Sequence, residues 1–196
     1  MKLTHPFLFR CHDLDVLFKN VKTLSQFMNR LEKQSQLSPE TYSIENYLGN
    51  GWEFFSEALI KTHQYDNRIG ILEYNPVTKN DNGVDGYGIN LFGEYCAVQI
   101  KYRSNIKGLL TSEQDNLNSF ITEALLEKNI QPNKNYRHFV FTTAKGLHYY
   151  TDQEKFRGMV KCYGYDDIRS LVDNNLHFWN FIREQILQFK KTLVSS

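Results

Sequence analysis

The sequence predicts an α/β protein in which helices surround a mixed central β-sheet, with a helical extension at the N-terminus. Three observations predict this class. Apolar residues recur at helical spacing near both ends of the chain, short β-rich runs occupy its middle, and a helical pattern separates the third run from the fourth. We assign residues 1–40 to the extension and residues 41–196 to the main domain.

A first helix is predicted over residues 13–34, where apolar side chains fall at helical spacing. These side chains are Leu14, Leu17, Phe18, Val21, Leu24, Met28 and Leu31. The stripe must be buried on the same domain or on a second subunit, and burial within the same domain is the commoner arrangement. A linker that contains Pro and Ser, SQLSPETYS, follows the helix.

A second helix is predicted in the segment GWEFFSEALIKTH. Trp52, Phe55 and Leu59 form one face of this helix, whereas Glu53 and Glu57, four residues apart, lie along another.

Three strands follow the second helix. The first is RIGILEYNPV, which Pro76 ends, and the other two are Val84–Ile89 and Tyr95–Tyr102. In the second half of the chain, TSEQ has the spacing of a capping box and predicts the start of a helix that ends at Asn129. Strands are then predicted in YRHFVFTTA, LHYYT and GMVKCYG, and helices in YDDIRSLVDNN and FWNFIREQILQFKKTL.

Charge and cysteine content argue against two classes of protein. Lys+Arg 23 and Asp+Glu 22 give a net charge of +1, a smaller positive excess than purely electrostatic nucleic-acid binders carry. The three cysteines lack the spacing of a zinc site and indicate reduced thiols. Because the N-terminal segment has no long apolar stretch, we expect a cytoplasmic protein without a membrane partner.

The segment GVDGYGINLFGEYCAVQIKYR carries the residues best suited to chemistry. Side chains alternate along a strand, so Gln99 and Lys101 share a face. Asp85 lies on the preceding strand between Gly83 and Gly86, and a hairpin brings it beside that pair. A carboxylate, an amide and an ammonium group would then meet at one place.

Such groups suit metal-assisted hydrolysis of a phosphodiester. Mg²⁺ takes oxygen ligands, so Asp85 would anchor it, the Gln99 oxygen would be a neutral ligand, and a glutamate of the second helix would bind directly or through water. The metal would lower the pKa of a bound water, and Lys101 would orient that water and stabilise the developing charge.

The same residues have plainer explanations. Asp85 between glycines is also typical of a turn, and Gln99 and Lys101 could lie at the solvated end of an ordinary hairpin. The two glutamates of the second helix could form the wet side of an amphipathic helix.

GVDGYGIN…YCAVQIKYR resembles the core of the PD-(D/E)xK nuclease superfamily, in the QxK version of Mrr-like restriction enzymes. GWEFFSEALIK resembles the first helix of that group. Segments downstream resemble the nuclease module of helicases from large DNA viruses and phages, among them LLTSEQDNLNSFITEAL, HFVFTTAKGLHYYTD and YDDIRSLVDNNLHFWNF. The resemblance runs over about residues 47–181, and no GxxxxGK[ST] helicase motif accompanies it.

The resemblance implies a restriction-endonuclease-like core and a Mg²⁺ cofactor, with Mn²⁺ as an alternative. Asp85 and Gln99 would be metal ligands and Lys101 the catalytic lysine. The helix acid would be Glu53 or Glu57, and the sequence leaves both open with Glu53 preferred. Because Gln99 replaces an acidic residue, cation binding should be weaker and should depend more on DNA phosphate.

Four further residues are predicted to contact the DNA backbone. Arg103, Asn105 and Lys107 come just after the third strand, and Lys145 follows a later one. The six histidines, including His138, are assigned structural roles.

The resulting prediction is a Mg²⁺-dependent endonuclease for double-stranded DNA, either restriction-like or a freestanding homing enzyme. If a phage encodes it, it would act in the host cytoplasm. Cutting both strands commonly takes two active sites, so we expect a homodimer or higher homo-oligomer. The alternatives are an inactive DNA-binding or assembly module, a structure-specific repair or resolving nuclease, and an RNA-directed nuclease.

Overall fold

The computed structural model describes residues 1–11, 13–37, 43–77, 83–111, 114–148 and 159–194. The chain divides into two compact units. The helical unit combines Met1–Thr62 with Ile168–Ser196, and the sheet unit is His63–Asp167. The predicted class is confirmed, since the chain is α/β with a mixed sheet of five strands. The predicted boundary at residue 40 stays a prediction.

The described helices of the helical unit come from both ends of the chain. They are α1 (Phe7–Arg10), α2 (Leu14–Phe18), α3 (Leu24–Leu37), α4 (Ile44–Thr62) and α7 (Leu176–Val194), together with most of α6 (Tyr165–Val172). Their core is aromatic. Phe55 stacks on Trp52 and on Phe27, with ring centroids 5.0 and 4.8 Å away, and all three rings are fully buried.

The single helix predicted over residues 13–34 is wrong, because the structure has two helices there, α2 and α3. Asn20 has a φ of 59°, a left-handed conformation that ends a helix. The Leu24 N–H at the start of α3 donates to Asp173 Oδ1 at 2.8 Å. The predicted apolar stripe is nevertheless buried, and α2 and α3 pack on helices of the same unit.

Helix α4 begins seven residues before the predicted start at Gly51. Ser43 caps it by accepting a hydrogen bond from the Asn46 N–H at 3.2 Å. Gly51 lies inside the helix, and a Cβ at this position would come within 2.4 Å of Leu31 Cδ1. The glycine therefore allows α3 to approach closely and does not break the helix.

The sheet unit contains two described sheets and one described helix. The strands are β1 (Ile71–Pro76), β2 (Gly86–Asn90), β3 (Tyr95–Lys101), β4 (Leu109–Leu110), β5 (His138–Thr142), β6 (Gly146–Leu147) and β7 (Val160–Tyr163). The larger sheet has the order β1-β2-β3-β5-β7, in which β1, β2 and β3 are antiparallel and β3, β5 and β7 are parallel. Strands β4 and β6 form a small parallel pair.

Helix α5 (Leu117–Lys128) covers one face of the larger sheet. Its buried side chains Leu117, Phe120 and Ala124 pack with Ala97 of β3 and Val140 of β5 in one apolar core. The alternate residues of β3 that share a face with Ala97 therefore point toward α5.

The start of α5 differs from the prediction. The helix begins at Leu117, after Asn116 in a left-handed conformation, and Thr111 instead accepts a hydrogen bond from the Gln114 N–H in a preceding turn. Ser112 and Glu113 of the predicted capping box lie outside the described residues, as do the last three residues of LHYYT. In the described part of the chain, no helix has the length and apolar character needed to cross a membrane.

Candidate functional site

Asp85, Gln99 and Lys101 lie on neighbouring strands at one end of the larger sheet. The β2–β3 register pairs Gly86 with Val98, and the Asp85 N–H donates to the Val98 carbonyl oxygen at 2.8 Å. Asp85 and Gly86 thus both lie beside Val98, as in a β-bulge, and it is the neighbouring Val84 that packs in the core beneath α5. Gln99 and Lys101 are alternate residues of β3 that share a face with Ala97, so both lie on the face that packs against α5.

Asp85 is held by hydrogen bonds on both sides. Its carbonyl oxygen accepts from the Val77 N–H at 3.0 Å and from the Tyr74 hydroxyl at 3.3 Å. Its side chain continues the hydrogen bonding between β2 and β3, because Oδ2 accepts from the Ile100 N–H at 2.5 Å. The carboxylate is thereby fixed beside β3, one residue before the start of β2.

Gln99 is fully buried, and neither end of its side-chain amide has a hydrogen-bond partner among the described residues. Gly83 makes room for this amide. A Cβ at Gly83 would lie 3.0 Å from Gln99 Nε2 and 3.6 Å from the Phe120 Cα, and its φ of 89° suits glycine. A buried amide without a partner costs about 1–3 kcal/mol of stability, so its retention requires an explanation.

Lys101 is partly buried and opens into a cavity of about 480 Å³. Gly83 lines the cavity on the same side as Lys101. The remaining lining residues come from α5 and the residue before it: Asn116, Asn118, Ser119, Thr122 and Glu123. Lys101 is the one cation and Glu123 the one carboxylate among these lining residues.

Arg103, a predicted DNA contact, forms an ion pair with the buried Asp115. The second oxygen of Asp115 accepts from the Thr111 N–H at 2.7 Å. The backbone of Arg103 exchanges hydrogen bonds of 2.6 and 2.7 Å with the Thr143 hydroxyl. Sequence reasoning missed Asp115. Its neighbours in the sequence suggest only an acid near the start of a helix, and they do not show that it pairs with an arginine twelve residues away.

The other predicted DNA contacts lie in exposed loops of the sheet unit. Asn105, Lys107 and Lys145 are exposed. Asn105 Oδ1 accepts from the Lys107 N–H at 3.1 Å, and the Lys145 N–H donates to the Gly108 carbonyl at 2.8 Å. The backbone therefore joins the loop after β3 to the loop after β5, so these three side chains belong to one surface.

Glu53 and Glu57 lie on α4, in the helical unit. Glu57 is fully buried and accepts hydrogen bonds from the N–H and hydroxyl of Thr4, both at 2.9 Å, from the His5 N–H at 2.9 Å and from Lys61 Nζ at 2.7 Å. Glu53 is 31% exposed and contacts His5 Nε2 at 2.9 Å. Glu57 thus anchors the N-terminal segment, whereas Glu53 is the more accessible of the two acids.

His138 shares the α5-facing side of the sheet with Gln99. It pairs with Ala97, lies two residues before the Val140 that pairs with Gln99, and contacts the edge of the Phe120 ring with centroids 5.4 Å apart. Neither ring nitrogen has a hydrogen-bond partner within the described residues. Burial, together with the neighbouring Arg137, lowers the pKa of His138 to about 4, so the ring is neutral near pH 7.

Two residues of the site carry oxygen atoms of the kind that Mg²⁺ takes, the Asp85 carboxylate and the unpartnered Gln99 amide, and Gly83 leaves space beside the amide. Neither Asp85 nor Gln99 lines the cavity into which Lys101 opens. No group of three or more His, Cys, Asp and Glu suited to a metal ion occurs in the described part of the chain. A cation site here would therefore rely on few carboxylates, on an amide oxygen and on water.

Comparison of the chain with protein-family models, with curated proteins and with solved structures gives no match. The resemblance to PD-(D/E)xK nucleases therefore rests on the sequence segments themselves.

Proposed function

We propose that this protein is a Mg²⁺-dependent endonuclease that hydrolyses phosphodiester bonds of double-stranded DNA, on a restriction-endonuclease-like core. The observation that carries the proposal is that Asp85 is bonded to β3 on both sides of Gln99, at Val98 and Ile100, while Lys101 shares the face of Gln99 and opens into a cavity of about 480 Å³. The mixed sheet of five strands, with α5 packed on one face, is also compatible with a core of this kind.

Each of the three side chains has a distinct role in this proposal. Asp85 and Gln99 would hold Mg²⁺ through a carboxylate and an amide oxygen. When bound, the cation would lower the pKa of water and polarise the phosphate. Lys101 would orient the attacking water toward the phosphorus and stabilise the negative charge that develops on the phosphate oxygens.

The exposed loop residues would position the DNA. Asn105, Lys107 and Lys145 lie on one surface of the sheet unit and would contact backbone phosphates without reading sequence. Arg103, which is 41% exposed, would contact phosphate only with the part of its guanidinium that Asp115 does not engage. A homodimer or higher oligomer would present two such sites to the two strands.

The experiment is cleavage of supercoiled plasmid in Mg²⁺ or Mn²⁺ by the wild type and by Lys101→Ala. We expect nicked and linear products from the wild type and a loss of at least about 10²-fold in rate for the variant, because the group that stabilises the transition state is gone. Binding of the same DNA in Ca²⁺ should be retained. Lys134→Ala removes an exposed lysine outside the cavity and is the matched control.

A second candidate, a DNA-binding or assembly module without catalysis, is favoured by two observations. Gln99 is fully buried, and one oxygen of Asp85 is bonded to the Ile100 N–H. This module would bind DNA but leave plasmid intact in both metals. Nicking by Lys101→Ala at the wild-type rate would remove Lys101 from the mechanism.

If the wild type cuts, a panel of duplex, single-stranded and branched DNA and of RNA identifies the substrate class. Sequencing of the cut sites then separates the biological roles. Long recurrent sites would indicate a homing enzyme, short palindromes a restriction enzyme, and cuts at branches a repair or resolving nuclease.

A further inference from the structure

The cavity beside Lys101 has an entirely polar lining among the described residues. Apart from Gly83, the side chains that line it are Lys101, Asn116, Asn118, Ser119, Thr122 and Glu123, all of the sheet unit. Its volume of about 480 Å³ lies in the range of roughly 300–1,000 Å³ that is usual for sites of small ligands. Such sites are mostly apolar, so a lining of this kind indicates a ligand that is itself polar or charged.

Two hydroxyl groups of α5 face this cavity. Ser119 and Thr122 are three residues apart, so they lie on the same side of the helix. The burial of Phe120 and Ala124 in the core against β3 and β5 fixes the rotation of α5 about its axis. Both hydroxyl residues are exposed, and neither side chain is hydrogen-bonded to another residue in the part of the chain that the structure describes. Their hydroxyl groups are therefore available to a ligand.

Lys101 adds a positive charge without a counter-charge. Its side chain is partly buried, and no described carboxylate forms an ion pair with it, Glu123 of the same cavity included. The first turn of α5 has no acidic residue either. A charge that is partly removed from water is stabilised by an opposite charge nearby, so the cavity favours an anionic ligand.

Glu123 limits the charge that such a ligand can carry. The formal charges of the lining cancel, with +1 from Lys101 and −1 from Glu123. A ligand with several negative charges would be repelled by Glu123, whereas the single charge of a phosphodiester can lie against Lys101. Hydroxyl and amide side chains commonly bind the phosphate and sugar groups of DNA. A phosphodiester therefore fits both the charge and the hydrogen-bonding groups of the cavity.

We propose that Ser119 and Thr122 of α5, together with Lys101, bind one backbone phosphodiester of the DNA strand in this cavity, an inference that rests on the proposed nuclease function. The two hydroxyl groups donate hydrogen bonds to the phosphate oxygens, and the ammonium group balances their charge. This binding requires no metal ion. It makes α5 a DNA-contacting element and holds the strand at the lysine that is proposed to act on it.

The experiment is a titration of the full-length, ¹⁵N-labelled protein with the dinucleotide d(TpT) in EDTA, followed by NMR. This probe contains a single phosphodiester, and EDTA prevents its hydrolysis. We expect the amide signals of Gly83 and of residues 116–123 to shift. Thymidine, which lacks the phosphodiester, should shift none of them at the same concentration. Inorganic phosphate should bind more weakly, because Glu123 repels its second negative charge.

Substitutions assign the contacts. Thr122→Val and Ser119→Ala each remove a hydroxyl group and should weaken d(TpT) binding by about 5-fold, and Lys101→Ala should weaken it by at least about 10-fold because its bond is to a charged group. Thr192→Val is the matched control, since it makes the same change at an exposed threonine of α7, whose hydroxyl donates to the Gln188 carbonyl at 2.9 Å. It should bind d(TpT) as the wild type does. Thermal unfolding checks that each variant is folded.

The outcomes separate this inference from the proposed function. If the wild type cuts plasmid and Lys101→Ala does not, but Ser119→Ala and Thr122→Val bind d(TpT) as tightly as Thr192→Val, the α5 subsite is refuted while the nuclease proposal stands. If both variants bind more weakly and the wild type leaves plasmid intact in Mg²⁺ and Mn²⁺, the subsite stands and the nuclease proposal is refuted. Equal shifts with thymidine or with inorganic phosphate would refute a phosphodiester as the bound group.

Discussion

Two buried polar side chains of the helical unit are hydrogen-bonded, whereas two of the sheet unit are not. In the helical unit, Glu57 is fully buried with hydrogen bonds to backbone and side chains, and the buried Gln185 accepts from the Leu3 N–H at 3.0 Å. In the sheet unit, Gln99 and His138 are fully buried, and their side-chain nitrogen and oxygen atoms have no partner among the described residues.

This difference separates buried polar groups that stabilise the fold from buried polar groups that destabilise it. A buried group whose hydrogen bonds are satisfied stabilises the fold, whereas one that is left without partners costs free energy. The helical unit also has unpartnered atoms, Trp52 Nε1 and Ser56 Oγ, but each belongs to a small group with one donor. Gln99 and His138 each leave two polar atoms unpaired beneath α5. A ligand role for Gln99 would explain why the fold keeps this amide despite its cost.

The largest effect on stability is expected at Glu57. Glu57→Ala would leave the N–H groups of Thr4 and His5 without their buried acceptor and the Lys61 ammonium without its carboxylate partner, with only the Lys2 carbonyl still accepting from it. Removing one partner of a buried ion pair typically costs 3–5 kcal/mol, so we expect a loss of about that size in the free energy of unfolding. Urea denaturation followed by circular dichroism measures it.

Glu53→Ala is the control for Glu57, because it removes a carboxylate from the same helix that is 31% exposed and has one contact, with His5. Its cost should be about 1 kcal/mol or less. If both variants unfold at the same urea concentration, the buried network around Glu57 does not hold the N-terminal segment.

The next effect is the pH dependence of stability that His138 imposes. Its pKa in the folded protein is about 4, below the ordinary value of 6.5, so between these values the unfolded chain binds a proton that the folded chain does not. Stability is therefore lost as the pH falls from 6.5 toward 4, by about 2–3 kcal/mol from this residue. His138→Leu should remove that part of the pH dependence.

Urea denaturation of the wild type and of His138→Leu at pH 7 and pH 4.5 measures this effect. Comparison of the two proteins cancels the contribution of other groups that titrate in the same range. Parallel loss of stability in both proteins would mean that His138 is protonated in the folded state and that its surroundings are more polar than its burial indicates.

Local pattern predicted the strands well and the helix ends poorly. Alternation along β3 predicted its start at Tyr95 and the shared face of Gln99 and Lys101, because that periodicity is a property of the strand alone. The break between α2 and α3 depends on Asn20 in a left-handed conformation and on Asp173, which is far away in the sequence. Asn20 and Asp173 are too far apart in the sequence for any local pattern to include both.

The candidate site was predictable in part for the same reason. The hairpin places Asp85 beside β3, where it bonds to Val98 and Ile100, and the short loop makes these contacts local in sequence. Glu123, Asp115 and His138 reach the site or its border only through the packing of α5 and β5 on β3. Their roles depend on tertiary structure, so sequence reasoning had no signal that separated them from ordinary helix and strand residues.

The smallest effect, and the sharpest test of the comparison, comes from one substitution made in both units. Gln99→Leu replaces an unpartnered buried amide by an apolar group of similar size, so we expect the free energy of unfolding to rise by about 1–2 kcal/mol. Gln185→Leu removes the acceptor of the Leu3 N–H and should lower it by about the same amount. Urea denaturation of both variants shows whether each one gains or loses stability.

If Gln99→Leu also lowers stability, the Gln99 amide has a partner in the folded protein, such as buried water, and its burial no longer calls for a functional explanation. If stability rises while Mn²⁺ binding is lost, the free energy that the fold gives up at Gln99 is the cost of keeping a ligand in place.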